Sequence, residues 1–183
     1  MNEEVFINKL KRSPLILKIS QIAVSEKKLV YAVGGYVRDL ILGRERNDLD
    51  ILVLGNGVEF AKQVAKSFNI QNVNYFKNFG TAHFEYSGMN IEFVGARKES
   101  YDRNTRKPVV EDGTFEDDIS RRDFTINTLA LSLNKDDFGK LIDIYDGLSD
   151  IEKKLIKTPL DPLKTFDDDP LRIMRAFRFA SQL

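Results

Sequence analysis

At 183 residues, 42% apolar and 31% charged with zero formal net charge, the chain has the composition of one soluble domain, or of one domain and the start of another. The absence of cysteine excludes disulfides, thiol catalysis and cysteine zinc sites, the single His83 is too little for a histidine metal cluster, and the neutral balance gives no global footprint for nucleic acid. No apolar run is long enough to span a bilayer and Met1 opens no signal-peptide pattern, so no membrane contact is expected and a cytoplasmic location follows by default.

From the N-terminus, Val5 to Ser25 carries apolar residues at helical spacing interrupted by Ser13-Pro14. This predicts two short helices, the second starting at Pro14 with Ser13 as its N-cap. Leu29 to Val33 is apolar and β-prone and reads as a strand. It stops at Gly34-Gly35, and Tyr36 to Leu42 predicts a short helix ending at Gly43. Asp48 and Asp50 precede Ile51 to Leu54, a second strand. Val58, Ala61, Val64-Ala65 and Phe68 fall at helical intervals and predict an amphipathic helix. Val73 to Phe76 and Thr81 to Tyr86 read as strands around Asn78-Phe79-Gly80, and Asn90 to Val94 as another across a Ser87-Gly88 turn. Glu99 to Asp118 is polar and aperiodic, which predicts a mobile loop. Ser120 to Leu133 reads as a helix with Ile126, Leu129-Ala130 and Leu133 on one stripe. Leu141 to Ile144 predicts a short strand, Ser149 to Lys154 a helical turn or two, and a last helix runs from about Pro170. That last helix is rich in apolar residues that need a partner surface. Either it folds back on the sheet or the chain is the N-terminal part of a longer protein, and the second is the favoured expectation.

The stretch from Gly34 to Asp50 carries the most chemistry. Paired glycines lack Cβ atoms, allow unusual dihedrals and let another molecule come close. A helix start offers unpaired N–H groups to an anion such as a triphosphate, and Arg38 and Arg44 can add charge. Residues two apart on a strand share a face, so Asp48 and Asp50 can reach one site while Leu49 turns into the core. Two carboxylates suit Mg²⁺, which keeps water and shares its ligation with substrate phosphates. Singly, the glycine pair also reads as a tight turn and Asp-x-Asp as a solvated strand start; in tandem they point to transfer of nucleotidyl groups. His83, Tyr75, Phe76, Phe79 and Phe84 read as structural residues.

Four motifs in order then make the chain resemble the class II tRNA nucleotidyltransferases, or CCA-adding enzymes, and the related bacterial poly(A) polymerases. They are Gly34-Gly35-x-x-Arg38-Asp39-x-x-x-Gly43-Arg44 with Asp48-x-Asp50; Arg121-Arg122-Asp123-Phe124-Thr125-Ile126-Asn127; Asp143-x-x-Asp146-Gly147 with Asp150; and Asp168-Asp169-Pro170-Leu171-Arg172-x-x-Arg175. The resemblance covers nearly all of Val30 to Leu183. It implies an α+β fold, a polymerase-beta-like nucleotidyltransferase head with a mixed β-sheet flanked by helices over 1–155, and the beginning of a helical neck over 156–183.

The resemblance also implies roles. Asp48, Asp50 and, as the third acidic position, Glu92 would hold Mg²⁺ and serve catalysis. Gly34, Gly35 and Arg38 would shape a phosphate pocket. Arg122, Asp123 and Asn127 resemble the residues that hold the ribose, and Arg121 beside them is expected to be nucleotide-binding. Asp168, Asp169 and Arg172, with Arg175 beyond them, sit where the family reads the base of CTP or ATP. A guanidinium offers donors and a carboxylate acceptors, which together match the mixed edge of cytosine or adenine. The family usually has glutamate where Asp168 stands, and Asp169 before Pro170 also reads as an N-cap. Arg172, Arg175 and Arg178 form either a phosphate-facing stripe or a salt-bridged surface. The implied activity is addition of CMP and AMP to the 3′ end of tRNA, with poly(A) synthesis, CC- or A-addition, or a non-catalytic nucleotide-binding module as alternatives.

Overall fold

The computed structural model describes residues 3–76, 80–100 and 109–183. They fall into two compact units, Met1–Ala96 with Ala130–Ile142, and Arg97–Leu129 with Asp143–Leu183.

The first unit opens with two helices, α1 (Glu3–Lys11) and α2 (Pro14–Ser25). The Ser13 hydroxyl accepts from Ile16 N at 3.3 Å, as its cap position predicts, and Pro14 supplies the preset φ of the first helical residue. Such a cap contributes about 1 kcal/mol. Leu15, Ile16, Ile19, Ile22 and Ala23 are the buried stripe of α2. Then come β1 (Val30–Val33), α3 (Gly35–Ile41), β2 (Asp48–Val53), α4 (Gly57–Ser67), β3 (Asn74–Phe76), β4 (Thr81–Tyr86) and β5 (Met89–Gly95). The later stretch adds β8 (Ala130–Ser132) and β9 (Leu141–Ile142).

These strands make one sheet in the order β3-β4-β5-β2-β1-β8-β9. The β2–β5 pair is parallel and its other pairs are antiparallel, so the sheet is mixed, as expected. Every residue of β1 is buried, which fits its apolar run and its place inside the sheet. Helix α3 packs on β1 and β2, and α4 on β2, β4 and β5. Of the apolar stripe expected of α4, Ala61, Val64 and Ala65 are buried while Val58 and Phe68 are half-buried; Phe60, outside the expected set, is buried with them, and Asn56 caps the helix by accepting from Glu59 N at 3.0 Å.

The second unit contains β6 (Arg97–Ser100), β7 (Val109–Asp112), α5 (Phe115–Ser120), a single 3-10 turn at Thr125–Asn127, α6 (Gly147–Glu152), α7 (Pro162–Asp168) and α8 (Leu171–Ala180). Two sequence expectations fail here. The Glu99–Asp118 stretch is not simply a loop: β6 and β7 pair antiparallel, and α5 starts with a capping box between Thr114 and Asp117. Its polarity belongs to a two-stranded ribbon and a capped helix start; residues 101–108 lie outside the described residues, as do Asn78 and Phe79. Nor is Ser120–Leu133 one helix. The chain makes the 3-10 turn and then enters the sheet as β8, because Leu129, Ala130, Leu131, Ser132 and Leu133 are buried consecutively rather than on one stripe. A short apolar run does not by itself distinguish a buried strand from a buried helix. Helix α7 was not foreseen. On α8, Phe179 is buried against Phe124, with ring centroids 5.8 Å apart, whereas Leu171, Met174 and Phe177 are exposed.

Candidate active site

In the first unit the side chains of interest lie along β2 and its neighbours. Asp48 and Asp50 share a face of the strand, as the period of two requires, and Leu49 on the opposite face is fully buried. Asp48 is exposed and Asp50 half-buried. Register extends the row: Asp50 stands opposite Glu92 on β5, and Glu92 opposite His83 on β4. In-register residues of paired strands project to the same face, so Asp50, Glu92 and His83 form one line. His83, read from the sequence as structural, therefore flanks the acidic row.

Asp48 stands opposite Asn90, whose amide Nδ2 donates to Asp48 Oδ1 at 3.2 Å. Among the described residues, no group of three His, Asp or Glu side chains is closed enough to hold a metal ion unaided. Mg²⁺ asks for less: hard oxygen donors, one or two of them carboxylates, with the remaining positions left to water and phosphate. Asp48, Asp50 and Glu92 on one face fit that demand.

The turn into α3 is built on Gly34, whose φ of 69° disfavours side chains. Arg38 and Asp39 follow within the helix, and both are buried. Arg38 Nε donates to Asp39 Oδ1 and Nη2 to Oδ2, each at 3.0 Å, a bidentate pair. Burial lowers the Arg38 pKa from its ordinary value, and Asp39 pushes the other way. Arg38, expected to shape a phosphate pocket, thus pairs with Asp39 in the interior of the first unit. Arg46 takes the outer position. Its Nη1 donates to Asp39 Oδ2 at 2.8 Å and its Nε lies 3.5 Å from Asp48 Oδ2.

Arg46 and Asn90 escaped the sequence reading. A signal for Arg46 was present: it lies two residues before Asp48, which in extended chain is the same side. Asn90 needed the register of β2 with β5, which no local pattern supplies.

The second unit gathers another constellation. Asp118 is fully buried and accepts from Arg121 through Nε at 3.1 Å and through Nη2, and from Arg122 Nη2 at 2.9 Å. Burial by itself would raise the Asp118 pKa, but Arg122 and Arg121 outweigh it and hold the carboxyl below its ordinary value. Asp123, also buried, accepts at Oδ1 from Phe124 N and Asn127 Nδ2, both at 2.9 Å, and at Oδ2 from Arg175 Nε at 2.6 Å. The expected Asp123–Asn127 contact is real, but the 3-10 turn delivers it rather than an α-helix.

Arg172 donates through Nη2 to Arg121 O at 2.9 Å and through Nη1 to Thr165 O at 3.4 Å, and its Nε is 3.9 Å from Asp169 Oδ2. Asp169 Oδ1 accepts from Leu171 N at 3.1 Å. One Asp169 oxygen therefore serves the helix start and the other faces Arg172. Asp168 ends α7 and is half-buried.

Three comparisons bear on these constellations. Residues 30–157 match the family model described as the poly A polymerase head domain. The chain is 46% identical over 153 residues to the A-adding tRNA nucleotidyltransferase of Aquifex aeolicus (strain VF5), across 84% of this chain and 18% of that protein. To the A-adding tRNA nucleotidyltransferase of Geobacter sulfurreducens it is 43% identical, across 84% of this chain and 17% of that one. Among solved structures, a tRNA nucleotidyltransferase complexed with a primer tRNA and an incoming ATP analog superposes with a TM-score of 0.76 at 42% identity, covering 88% of this chain and 44% of the other. The chain thus spans under a fifth of the length of these two curated relatives.

Proposed function

Because this chain belongs to the poly(A) polymerase head-domain family, we propose that it is the nucleotidyltransferase head, 1–155, and first part of the neck, 156–183, of an enzyme that adds CMP and AMP from CTP and ATP to the 3′ end of tRNA. The observation that carries the reading is the placement of Asp48, Asp50 and Glu92 on one face of adjoining parallel strands, beside the Gly34-Gly35 turn.

In the proposed reaction the terminal 3′-oxygen of the RNA bonds to the α-phosphorus in line, its proton is lost, and the bond to the bridging oxygen breaks to release pyrophosphate. Asp48, Asp50 and Glu92 are the side chains that would hold Mg²⁺. When bound, the metal acidifies the attacking hydroxyl and neutralises charge on the triphosphate. Gly34 and Gly35 allow the phosphates to approach the backbone closely. Asn127 and the Arg121-Arg122-Asp123 run serve the sugar, with Asp123 acting as the fixed acceptor around which Asn127 and Arg175 are held. Asp168, Asp169 and Arg172 serve the base, with Arg172 held by two main-chain carbonyls. No helix among the described residues is long and apolar enough to cross a membrane.

A second reading, addition of A alone, is favoured by the two A-adding relatives. Both readings meet in one experiment. The full-length protein is given tRNA ending before CCA, or ending in CC, with CTP and ATP separately and together. Growth by three nucleotides and then arrest supports CCA addition. Growth only of the CC-ended tRNA, by one A, supports the second reading. Open-ended A tails, or nucleotide binding without pyrophosphate release, would overturn both.

A further inference from the structure

Arg46 belongs to neither the four sequence motifs nor the acidic row, yet it sits against both halves of the first unit's constellation. Its guanidinium lies directly on Gly35: a Cβ built there would be 2.6 Å from Arg46 Nη1 and 2.9 Å from Cζ. The side chain is anchored from behind. Asp39 receives Nη1, and Asp39 is itself fixed by the bidentate grip of buried Arg38. Arg38, Asp39 and Arg46 together carry one net positive charge, and Arg46 is the member that reaches the surface, with its side chain 32% exposed. In front, its polar contact is the exposed carboxylate of Asp48, 3.5 Å from Nε. That distance falls outside a good hydrogen bond, and Nε is a buried donor that makes none among the described residues. A donor left in this state costs free energy unless something completes it.

A planar guanidinium with uncommitted N–H groups, held against a glycine turn and next to a metal-type carboxylate, is the chemistry that recognises phosphate oxygens. We propose that Arg46 is a substrate-contacting residue that binds the triphosphate of the incoming nucleotide. This rests on the nucleotidyltransferase reading and deepens it. The glycine at position 35 then has a second reason to be glycine: a side chain would displace the guanidinium from the phosphates.

Binding of ATP and of AMP to the full-length protein in Mg²⁺ tests the proposal, with Arg46→Met, Arg46→Lys and Gly35→Ala alongside the unmodified protein. Arg46→Met is expected to weaken ATP about tenfold, the size of one lost charged hydrogen bond, and to leave AMP within about twofold. Retained AMP binding shows that the variant is folded. Arg46→Lys is expected to recover only part of the loss, because an ammonium cannot bridge Asp39 and a phosphate as a fork does, and Gly35→Ala to resemble Arg46→Met. Equal losses for ATP and AMP, or none for either, would overturn the proposal. An Asp48→Asn control separates the two levels. If it removes the Mg²⁺ dependence of ATP binding while Arg46→Met changes nothing, the role of Arg46 falls and the nucleotidyltransferase reading stands. If the unmodified protein binds ATP no better than AMP, both fall.

Discussion

The strand-start carboxylate Asp48 of the first unit and the buried carboxylates Asp118 and Asp123 of the second are used in opposite ways. In the first, Asp48 stands exposed at the start of a strand, touched by Asn90 at 3.2 Å and by Arg46 at 3.5 Å. In the second, Asp118 and Asp123 are buried and take their hydrogen bonds from arginine, asparagine and main-chain donors inside the unit. A carboxylate of the first kind keeps acceptor capacity for a ligand from solution. One of the second kind has spent it on holding other residues in place. Motif membership alone does not separate them, since Asp48 and Asp123 both belong to the motifs; burial and partners do.

Removing each kind should therefore break different things. The largest effect is expected at Asp48 and Asp50. Alanine at either position should reduce nucleotide incorporation to background in the full-length protein while the melting temperature stays close to that of the unmodified chain. Substantial turnover in either variant would remove the metal assignment, and with it one side of the contrast.

Asp118→Asn should do the reverse, lowering folding stability by about 3–5 kcal/mol, the usual cost of breaking a buried ion pair from one side. Denaturant unfolding measures it. The same carboxylate should give stability a pH dependence. Its folded pKa is depressed, so its contribution is complete above the ordinary carboxylate value and is lost as pH falls through the lower folded value. Acid unfolding of the unmodified chain should thus be steeper below about pH 4 than that of Asp118→Asn. Parallel curves would mean that Arg121 and Arg122 do not stabilise the charged form.

Much of this contrast was legible in the sequence, and the part that was not has a physical reason. Periodicity of two placed Asp48 and Asp50 on one face, and Ser13-Pro14 announced α2, because both are local rules. The pairing of Asp50 with Glu92 depends on parallel register between strands separated by a helix and a hairpin, so only the resemblance suggested it. The burial of Arg38 was invisible because its partner, Asp39, is adjacent in sequence, and adjacent residues on an ideal helix do not face each other. The helix expected over Ser120–Leu133 fails for a different reason: a run of apolar residues entering a sheet carries no period to oppose the helical one.

The smallest expected effects sharpen the contrast within the second unit, between two arginines three residues apart on α8. Arg175 is 43% exposed at its side chain and spends its Nε on Asp123, with its guanidinium 5.4 Å from the Phe179 ring centroid. Arg172 is 12% exposed and is held by the carbonyls of Arg121 and Thr165, with Asp169 beside it. If Arg172 reads the base, Arg172→Met should change the preference between CTP and ATP by about tenfold, one charged hydrogen bond's worth. If Arg175 is a brace for Asp123, Arg175→Met should cost about 1 kcal/mol of stability, discounted for its exposure, and leave that preference where it was. Competition between the two nucleotides in single-addition assays, run beside unfolding curves, separates base choice from bracing. A shift in preference for Arg175→Met as large as that for Arg172→Met would show that Asp123 and its arginine take part in base choice, and the division between ligand-binding and scaffold carboxylates would then have to be redrawn inside the second unit.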